Sequence, residues 1–286
     1  MKEKILLSDG LLNFVCHWFY EKNGAGCCMR NVLLMVALVL CYVFALVQNI
    51  SAVDNSMVLY LPLDENTGKV AYDLSSFKND ATLEGSPKWG PGKFNSCIQF
   101  SSGNYLKVKD SDSLDMSKGL TIELWVKLAK LNGAQQSGVE KGSAWVSGEY
   151  NFCPEYNGGI ILQIFDLPDG CDDEGQSGSA ALMANGSWHF IVATWDGNTI
   201  KIYIEGEIVN KIDCKGEISS NGDPLFIGCR NGAERWVDGL MDEIKIYNRA
   251  LTANEILSDM ADPRANLAVD KEGKFAATWG TIKSKF

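Results

Sequence analysis

The feature that most constrains the fold is the stretch 188–207, WHFIVATWDGNTIKIYIEGE, in which two apolar runs flank a glycine-containing turn. In the second run Ile200, Ile202 and Ile204 alternate with Lys201 and Tyr203, and a period of two is typical of a half-buried β-strand. The Asp-Gly-Asn turn supplies the positive φ that a tight reversal needs. The stretch therefore predicts a β-hairpin, and a fold that is built from such units.

Short apolar runs of the same kind recur about every 10 to 15 residues between positions 57 and 247, without helical periodicity between them. This spacing favours a β-sandwich over an alternating βαβ fold. One short helix is predicted near the end of the chain. Thr252 and Glu255 have the spacing of a capping box, apolar residues follow them, and Asp262-Pro263 ends the segment.

An uncharged apolar run at residues 32–47 follows Arg30 and precedes the small pair Ser51-Ala52. The run is shorter than the roughly 20 residues that span a bilayer, and small residues after it suit a signal-peptidase site. We expect an export signal that is cleaved, and the alternative is that residues 32–47 remain as a membrane anchor. In either case this apolar segment is the only part of the chain that is expected to contact a membrane. A start of translation at Met29 instead of Met1 is a further hypothesis.

The chain of 286 residues is expected to hold one β domain, because sandwiches of this size are commonly single domains. The predicted division is a leader at 1–52, the β domain at 53–262 and a C-terminal tail at 263–286. A formal charge of −10 argues against a nucleic-acid-binding face, which needs basic side chains. We expect a secreted, periplasmic or cell-surface protein.

Five cysteines follow the leader, at positions 97, 153, 171, 214 and 229, so at least one is unpaired within the chain. An oxidising compartment permits a bond between Cys153 and Cys171 across a loop, and one between Cys214 and Cys229 in neighbouring runs. No CxxC pair is present, which leaves zinc-ribbon and thioredoxin chemistry without support.

Several segments follow one another in a recognisable order, namely GKFNSCIQF, GLTIELWVK, GSWHFIVATWDGNTIKIYIEGE and VDGLMDEIKIYNRALTANEI. Over about residues 57–260 the chain resembles laminin G-like domains of the concanavalin A-like lectin/glucanase superfamily. The resemblance implies a jelly-roll sandwich of two curved antiparallel sheets, with the final helix at one edge. It does not imply one function, because this fold serves adhesion, sugar binding and hydrolysis.

Asp242 is the most informative polar residue of the last strand. Strict alternation gives it the same parity as Leu240 and Ile244, so its carboxylate is expected on a buried face. A buried carboxylate without a partner is costly, so Asp242 needs either a cation or several hydrogen-bond donors.

The family resemblance implies a structural calcium between the first and last strands. It would pair Asp242 with Asp64 and with oxygens near Asn79 and Asp80. Carboxylates and loop carbonyls supply the oxygen ligands that calcium prefers. The alternative is that Asp242 accepts hydrogen bonds from backbone amides at the start of the strand.

Catalytic signals are weak. His189 is the only histidine after the leader and lies within a predicted strand, which favours a surface histidine paired with a neighbour. The glucanase branch of the superfamily carries a Glu-x-Asp-x-x-Glu motif, and the sequence has no copy of it around Glu123 or elsewhere. Because glycoside hydrolysis needs two suitably placed carboxyl groups, we expect a non-catalytic protein.

Four aromatic residues are expected in loops, where exposed rings stack on sugar faces: Trp145, Tyr150, Tyr156 and Trp236. The same rings would equally serve to cover loops or to form a protein interface. The sequence thus predicts an exported recognition module for carbohydrate or protein at the cell surface. A glycan hydrolase and a purely structural surface protein are the alternatives.

Overall fold

The structure is a computed structural model, and it describes residues 55–131, 135–143, 145–156, 158–168, 171, 178–179, 183, 186–264 and 267. These residues belong to one compact unit, Val53–Ala268. The predicted leader with its apolar run at 32–47, and nearly all of the predicted tail, lie outside the described residues. Among the helices of the described residues, none has the length and apolar character needed to cross a membrane.

The regular secondary structure of the described residues is almost entirely β-strand. The strands are β1 (Met57–Leu61), β2 (Val70–Ala71), β3 (Ala81–Glu84), β4 (Lys88–Pro91), β5 (Ser96–Phe100), β6 (Tyr105–Val108), β7 (Leu120–Leu128), β8 (Val139–Lys141), β9 (Tyr150–Tyr156), β10 (Gly159–Ile164), β11 (Gly178–Ser179), β12 (His189–Trp195), β13 (Thr199–Ile204), β14 (Glu207–Asp213), β15 (Leu225–Ile227) and β16 (Gly239–Tyr247). A short 3₁₀ helix spans Asp112–Leu114, and the α-helix α1 spans Ala253–Ala261.

The strands form two antiparallel sheets whose inner faces share one apolar core. The first sheet has the order β14-β13-β12-β7-β16-β5-β4, with β1 also paired to β16. The second sheet has the order β11-β10-β9-β8-β15-β6-β3-β2. The prediction of an all-β sandwich is therefore confirmed.

The predicted hairpin is present as β12 and β13, with Ala193 opposite Ile202 and Trp195 opposite Ile200. Ile200 and Ile202 are buried in the core between the sheets, as their alternation predicted. Gly197 in the turn has a φ of +87°, a conformation that glycine adopts without strain.

Helix α1 covers the outer face of the first sheet. Thr252 and Glu255 form the predicted capping box. Ile256 packs in a second apolar cluster with Trp125 and Phe190, which point away from the main core. Exposure of these apolar side chains to water would be unfavourable, so the helix and the loops around it cover them as a third layer.

A buried ionic network lies in the same layer. The Lys245 ammonium is 3.0 Å from a carboxylate oxygen of Glu123 and 3.0 Å from one of Asp259 in α1. Glu123 thus faces outward from the sandwich but is covered, and burial raises its pKa to about 8. This carboxyl group is held by a lysine and the helix, not by a catalytic partner.

The predicted disulfide pairing is wrong. The structure joins Cys171 to Cys214, and Cys153 and Cys229 are buried free thiols, as is Cys97. Cys214 follows β14 at the edge of the first sheet, whereas Cys171 follows β10 in the second sheet. The bond therefore links the two sheets, and the pairs expected from nearness along the chain are not the pairs that meet in space.

Candidate functional site

Strand β16 contains a bulge between Asp242 and Lys245, where Glu243 and Ile244 interrupt its pairing with β7. Glu243 has a φ of +53°, and Met241 and Ile244 both lie in the core between the sheets. The extra residue turns Asp242 to the outer face, where it is paired with Trp125 across the strands. The parity expected from the sequence is therefore wrong: Asp242 is buried, but outside the core of the sandwich.

Backbone amides surround the Asp242 carboxylate. Oδ2 accepts hydrogen bonds from the amides of Lys93 (2.8 Å) and Phe94 (3.0 Å), and Oδ1 accepts one from Glu243 (3.0 Å). Burial raises the pKa of Asp242 to about 8 although these amides lower it. The structure thus has the backbone donors that were the alternative to calcium.

The Asp64 carboxylate, just beyond β1, is held by three further donors. Oδ1 accepts from the amide of Ser96 at 3.3 Å, and Oδ2 accepts from Nδ2 of Asn95 at 3.0 Å. The guanidinium of Arg264 donates to Oδ2 at 2.6 Å. Asp64 therefore faces an organic cation that belongs to the chain itself.

Asn79 and Asp80 belong to a different hydrogen-bond network, which is centred on Asp73. The Asn79 amide donates to Asp73 Oδ2 at 2.7 Å, and Asn79 Nδ2 donates to the carbonyl of Val58 at 2.9 Å. Asp80 Oδ1 accepts from the amide of Asp73 at 2.9 Å. This network fixes the chain between β2 and β3 against β1.

The four predicted calcium ligands are thus divided between two networks. Within the described ranges, no group of three or more His, Cys, Asp or Glu side chains is arranged to hold a metal ion. The carboxylate oxygens of Asp64 and Asp242 already accept hydrogen bonds from protein donors. This arrangement does not fit the predicted calcium cage.

The four aromatic residues that were predicted in loops differ in burial and in secondary structure. Tyr150 is fully buried in β9 and donates its hydroxyl to the carbonyl of Leu114, so its predicted place in an exposed loop is wrong. Tyr156 is the half-buried last residue of β9, again in a strand. Trp236 is half-buried with its ring centroid 6.1 Å from that of Tyr105.

Trp145 alone among these four is largely exposed, at 46% of its surface, in the connection between β8 and β9. Its ring lies 6.4 Å from that of Phe165, which is 42% exposed. The two rings form an aromatic patch beside the second sheet.

Beneath this patch, a row of side chains crosses the outer face of the second sheet, one from each of six paired strands. In order from β10 to β3 the row is Gln163, Asn151, Glu140, Phe226, Lys107 and Thr82. Their neighbours along each strand, such as Val139 and Phe152, point into the core. Thr82 is exposed, whereas Glu140 and Asn151 are fully buried, so one end of the row is covered.

Glu140 is the centre of the covered end. The guanidinium of Arg230 lies 3.1 Å from Glu140 and 3.4 Å from Glu149, and all three side chains are at least nine-tenths buried. The carboxyl groups of Glu140 and Glu149 are within hydrogen-bonding reach of each other. Burial raises the pKa of Glu140 to about 8, and the neighbouring Glu149 adds to this effect.

The hydrogen-bonding capacity of this polar cluster is only partly filled. Glu140 Oε1 and Arg230 Nε face each other in the 3.1 Å ion pair, whereas two further buried atoms, Asn151 Nδ2 and Arg235 Nη1, lack a hydrogen-bond partner. Trp145 lies over the two arginines, with its ring centroid 4.7 Å from Cζ of Arg230 and 5.9 Å from Cζ of Arg235. Buried polar atoms without partners are rare in folded proteins and mark places where a ligand or water binds.

Sequence reasoning identified Trp145 but missed Glu140, Asn151 and Arg230. The sequence gave little signal for them, because Glu140 lies in the short polar stretch Val139–Lys141 and Asn151 lies in a segment that was expected to be a loop. Arg230 follows the apolar run of β15 directly. What the sequence does not give is the order of strands that brings these residues together.

Taken together, the two antiparallel sheets and the final helix define a jelly-roll sandwich. A laminin G family model, described as the concanavalin A-like lectin/glucanases superfamily, matches residues 100–257. Because this match spans more than half of the 286 residues, the chain belongs to that superfamily. Among curated protein sequences, none matches the chain.

Solved structures with a similar fold include the binding domains of two proteins and one domain of an arabinanase. The binding domain of Paraclostridial Mosquitocidal Protein 1 has 14% identity and a TM-score of 0.56, with 76% of this chain and 56% of that chain covered. A second similar structure is domain 4 of AbnA, an extracellular arabinanase from Geobacillus stearothermophilus, in complex with arabinotriose. It has 18% identity and a TM-score of 0.56, with 72% of this chain and 98% of that chain covered.

The binding domain of Botulinum neurotoxin DC, in complex with rat synaptotagmin II, has 15% identity and a TM-score of 0.55. The similarity covers 73% of this chain and 52% of that chain. The chain thus spans about half of each toxin domain and nearly all of the arabinanase domain. At these identities the likeness shows the fold alone.

Proposed function

We propose that this protein is an exported, non-catalytic glycan-binding module whose site is the polar cluster under Trp145. One observation carries the proposal: an exposed indole covers a buried polar cluster in which Asn151 Nδ2 and Arg235 Nη1 lack hydrogen-bond partners. This combination of an aromatic surface and convergent polar groups is what sugar recognition needs.

The chemistry of the site matches that of a sugar. Trp145 and Phe165 offer apolar ring faces to the C–H face of a pyranose or furanose ring. A sugar hydroxyl both donates and accepts, so adjacent hydroxyls can accept hydrogen bonds from Asn151 Nδ2 and Arg235 Nη1. Both atoms are buried, so binding requires the Trp145 side chain to turn aside.

The charge at the site favours an uncharged sugar. Three carboxyl groups, those of Glu140, Glu149 and Glu234, surround two guanidinium groups, those of Arg230 and Arg235. Because the pKa of Glu140 is about 8, this group holds its proton near neutral pH, and the remaining charges balance. An anionic sugar would gain no net attraction and would meet the Glu149 carboxylate.

The same geometry argues against hydrolysis. Retaining and inverting glycosidases hold their two carboxyl groups about 5 Å or about 6.5–9.5 Å apart, which leaves room for the sugar or for water. Glu140 and Glu149 are in hydrogen-bonding reach of each other and share one arginine. His189 is paired with Glu205 at 2.9 Å on the opposite sheet, away from this cluster.

The structural neighbours support recognition of a ligand outside the cell. One is an extracellular arabinanase domain in complex with arabinotriose, and another is a toxin domain in complex with synaptotagmin. For this chain, glycan binding and export are proposals that the comparisons support only through the fold.

A glycan array tests the proposal directly. We expect neutral oligosaccharides to bind, and Trp145→Ala and Asn151→Leu to weaken the best binder at least tenfold in calorimetry. Tyr72→Ala is the matched control, because Tyr72 is 56% exposed but follows the opposite edge of the second sheet. Absence of binding to any glycan would refute the function, whereas preference for acidic glycans would refute only the ligand class.

A protein ligand is the second candidate. Strand β14 is the outer edge of the first sheet, and Ile208 and Val209 on it are 54% and 37% exposed. An edge strand with exposed apolar residues is a template for an added strand from a partner. A partner whose capture is lost in Ile208→Lys but kept in Trp145→Ala would favour this function over sugar binding.

A further inference from the structure

The two side-chain atoms without partners in the cluster under Trp145 are both hydrogen-bond donors. Asn151 is fully buried, and its Nδ2 lacks a partner among the described residues, as does the buried Nη1 of Arg235. The oxygen of the same amide is already used. Asn151 Oδ1 accepts hydrogen bonds from Ser137 Oγ at 2.7 Å and from Cys153 Sγ at 3.4 Å. Because arginine has no acceptor, a ligand that satisfies this pair must supply acceptors.

Asn151 in β9 and Arg235 in the loop after β15 approach the same part of the cluster. Ser137 contacts both residues, since its hydroxyl donates to Asn151 Oδ1 and its amide donates to the Arg235 carbonyl at 2.8 Å. Burial and the Glu140 carboxyl group raise the pKa of the Cys153 thiol beside Asn151, and the Arg235 guanidinium opposes this rise. One ligand group can therefore be placed to meet both donors.

A hydroxyl group can accept from these donors, but it also brings a proton that needs an acceptor of its own. Asn151 Oδ1 already takes two hydrogen bonds. Glu149 accepts from the Val146 amide at 3.2 Å and from Arg230 at 3.4 Å, and Glu140 faces the same arginine. A buried donor without an acceptor is costly. A carbonyl oxygen, which has two lone pairs and no proton, therefore suits this pair better than a hydroxyl.

The charges of the cluster decide which kind of carbonyl group fits. A carboxylate also supplies acceptors, but it would meet the Glu149 carboxylate beside Arg230. An amide carbonyl is uncharged, and in sugars it occurs in the acetamido group. The methyl end of this group is apolar. It matches the ring faces of Trp145 and Phe165, which lie 6.4 Å apart and are 46% and 42% exposed.

Resting on the proposed glycan-binding function, we propose that the site is specific for sugars that carry an acetamido group. The amide carbonyl accepts hydrogen bonds from Asn151 Nδ2 and Arg235 Nη1. The methyl group packs against the rings of Trp145 and Phe165. The Trp145 ring centroid lies 5.9 Å from Cζ of Arg235, so the indole turns aside to admit the ligand. Only the acetamido group enters the cluster, and the sugar ring stays outside it.

Matched pairs of uncharged sugars test this specificity by calorimetry of the purified protein. Chitotriose and cellotriose share their linkage and differ in an acetamido group or a hydroxyl on each ring. The methyl glycosides of N-acetylgalactosamine and galactose form the second pair. We expect the acetamido sugar of at least one pair to bind about tenfold more tightly or better, because its hydroxyl analogue brings an unmet proton into the cluster.

The possible results separate the specificity from the function on which it rests. Equal binding within both pairs, or tighter binding of the hydroxyl sugars, overturns the acetamido specificity and leaves glycan binding intact. No binding of any sugar, here or on the glycan array, refutes the glycan-binding function and the specificity with it.

Two variants locate the preference in the cluster. Arg235→Met and Asn151→Leu each remove one donor, and each is expected to abolish most of the preference for the acetamido sugar. Arg249→Met is the matched control, because Arg249 is also partly exposed but pairs with Glu255 at 2.7 Å, and it keeps the preference. Thermal unfolding shows which variants are folded. A folded Arg235→Met or Asn151→Leu protein with the full preference would place recognition elsewhere and overturn the proposal.

Discussion

The pH dependence of stability follows from the Glu140 carboxyl group. Two buried carboxyl groups, those of Glu140 and Glu149, share the Arg230 guanidinium, so retaining one proton is favourable. Burial and Glu149 raise the pKa of Glu140 from 4.5 to about 8. In the unfolded chain the same group ionises near its ordinary pKa. Between these values the folded protein binds the additional proton, so its stability falls as the pH rises.

The size of the effect follows from the difference in bound protons. One additional proton lowers the free energy of unfolding by up to about 1.4 kcal/mol for each pH unit between roughly pH 5 and 8. Glu140→Gln cannot ionise, and its amide can still donate to Glu149. We expect the variant to match the wild type near pH 5 and to exceed its stability by up to about 3 kcal/mol near pH 7.5.

Urea denaturation followed by circular dichroism at several pH values measures this difference. Asp242, Glu123 and Glu243 also have raised pKa values, but they are unchanged in the variant and cancel in the comparison. Glu234→Gln is the control, because Glu234 lies 3.9 Å from the same arginine but is 58% exposed. Equal pH slopes for wild type and Glu140→Gln would show that Glu140 is ionised in the folded protein.

Two other substitutions probe the packing of the sandwich. Lys245→Met leaves two buried carboxylates without their cation and is expected to cost roughly 3–5 kcal/mol, whereas Lys130→Met removes an exposed pair and costs less than about 1 kcal/mol. Gly228→Ala places a Cβ 2.2 Å from the Phe100 ring at a φ of +88° and is expected to cost roughly 2–5 kcal/mol. Gly158→Ala, at a φ of +86° with open space around it, costs only about 1–3 kcal/mol.

Denaturant midpoints and m-values give all four free energies. A Lys245→Met variant as stable as Lys130→Met would mean that the buried carboxylates are protonated or hydrated in solution. If Gly228→Ala and Gly158→Ala lower the free energy of unfolding equally, backbone strain alone accounts for the cost. The Phe100 ring would then have moved away from the new Cβ at position 228.

Local patterns in the sequence were sufficient for the fold class and for some of its elements. The alternation of Ile200 and Ile202 gave the central hairpin, and Thr252 with Glu255 gave the start of the final helix. Both depend on contacts between residues that are close along the chain. The order of such segments then indicated the superfamily, which the family model confirms.

The bulge next to Asp242 could not be predicted from such local patterns. A bulge adds one residue to one strand, and from that point all side chains change face. Burial around Asp242 fits either alternative, because the outer face is itself covered by α1 and carries apolar residues such as Trp125 and Phe190. Strict alternation therefore predicted correctly that Asp242 is buried, but assigned it to the core between the sheets instead of to the outer face.

The sequence by itself determined the central hairpin, its turn glycine, the capping box and the loop position of Trp145, because each depends on local periodicity or backbone conformation. Only the tertiary structure decided that Cys171 bonds Cys214, that Glu140 meets Glu149 and Arg230, and that Arg264 reaches Asp64. These partners come from separate strands and loops, and their approach depends on the order and register of strands in the two sheets. That order minimises the exposed apolar surface of the whole domain, so no short segment specifies it alone.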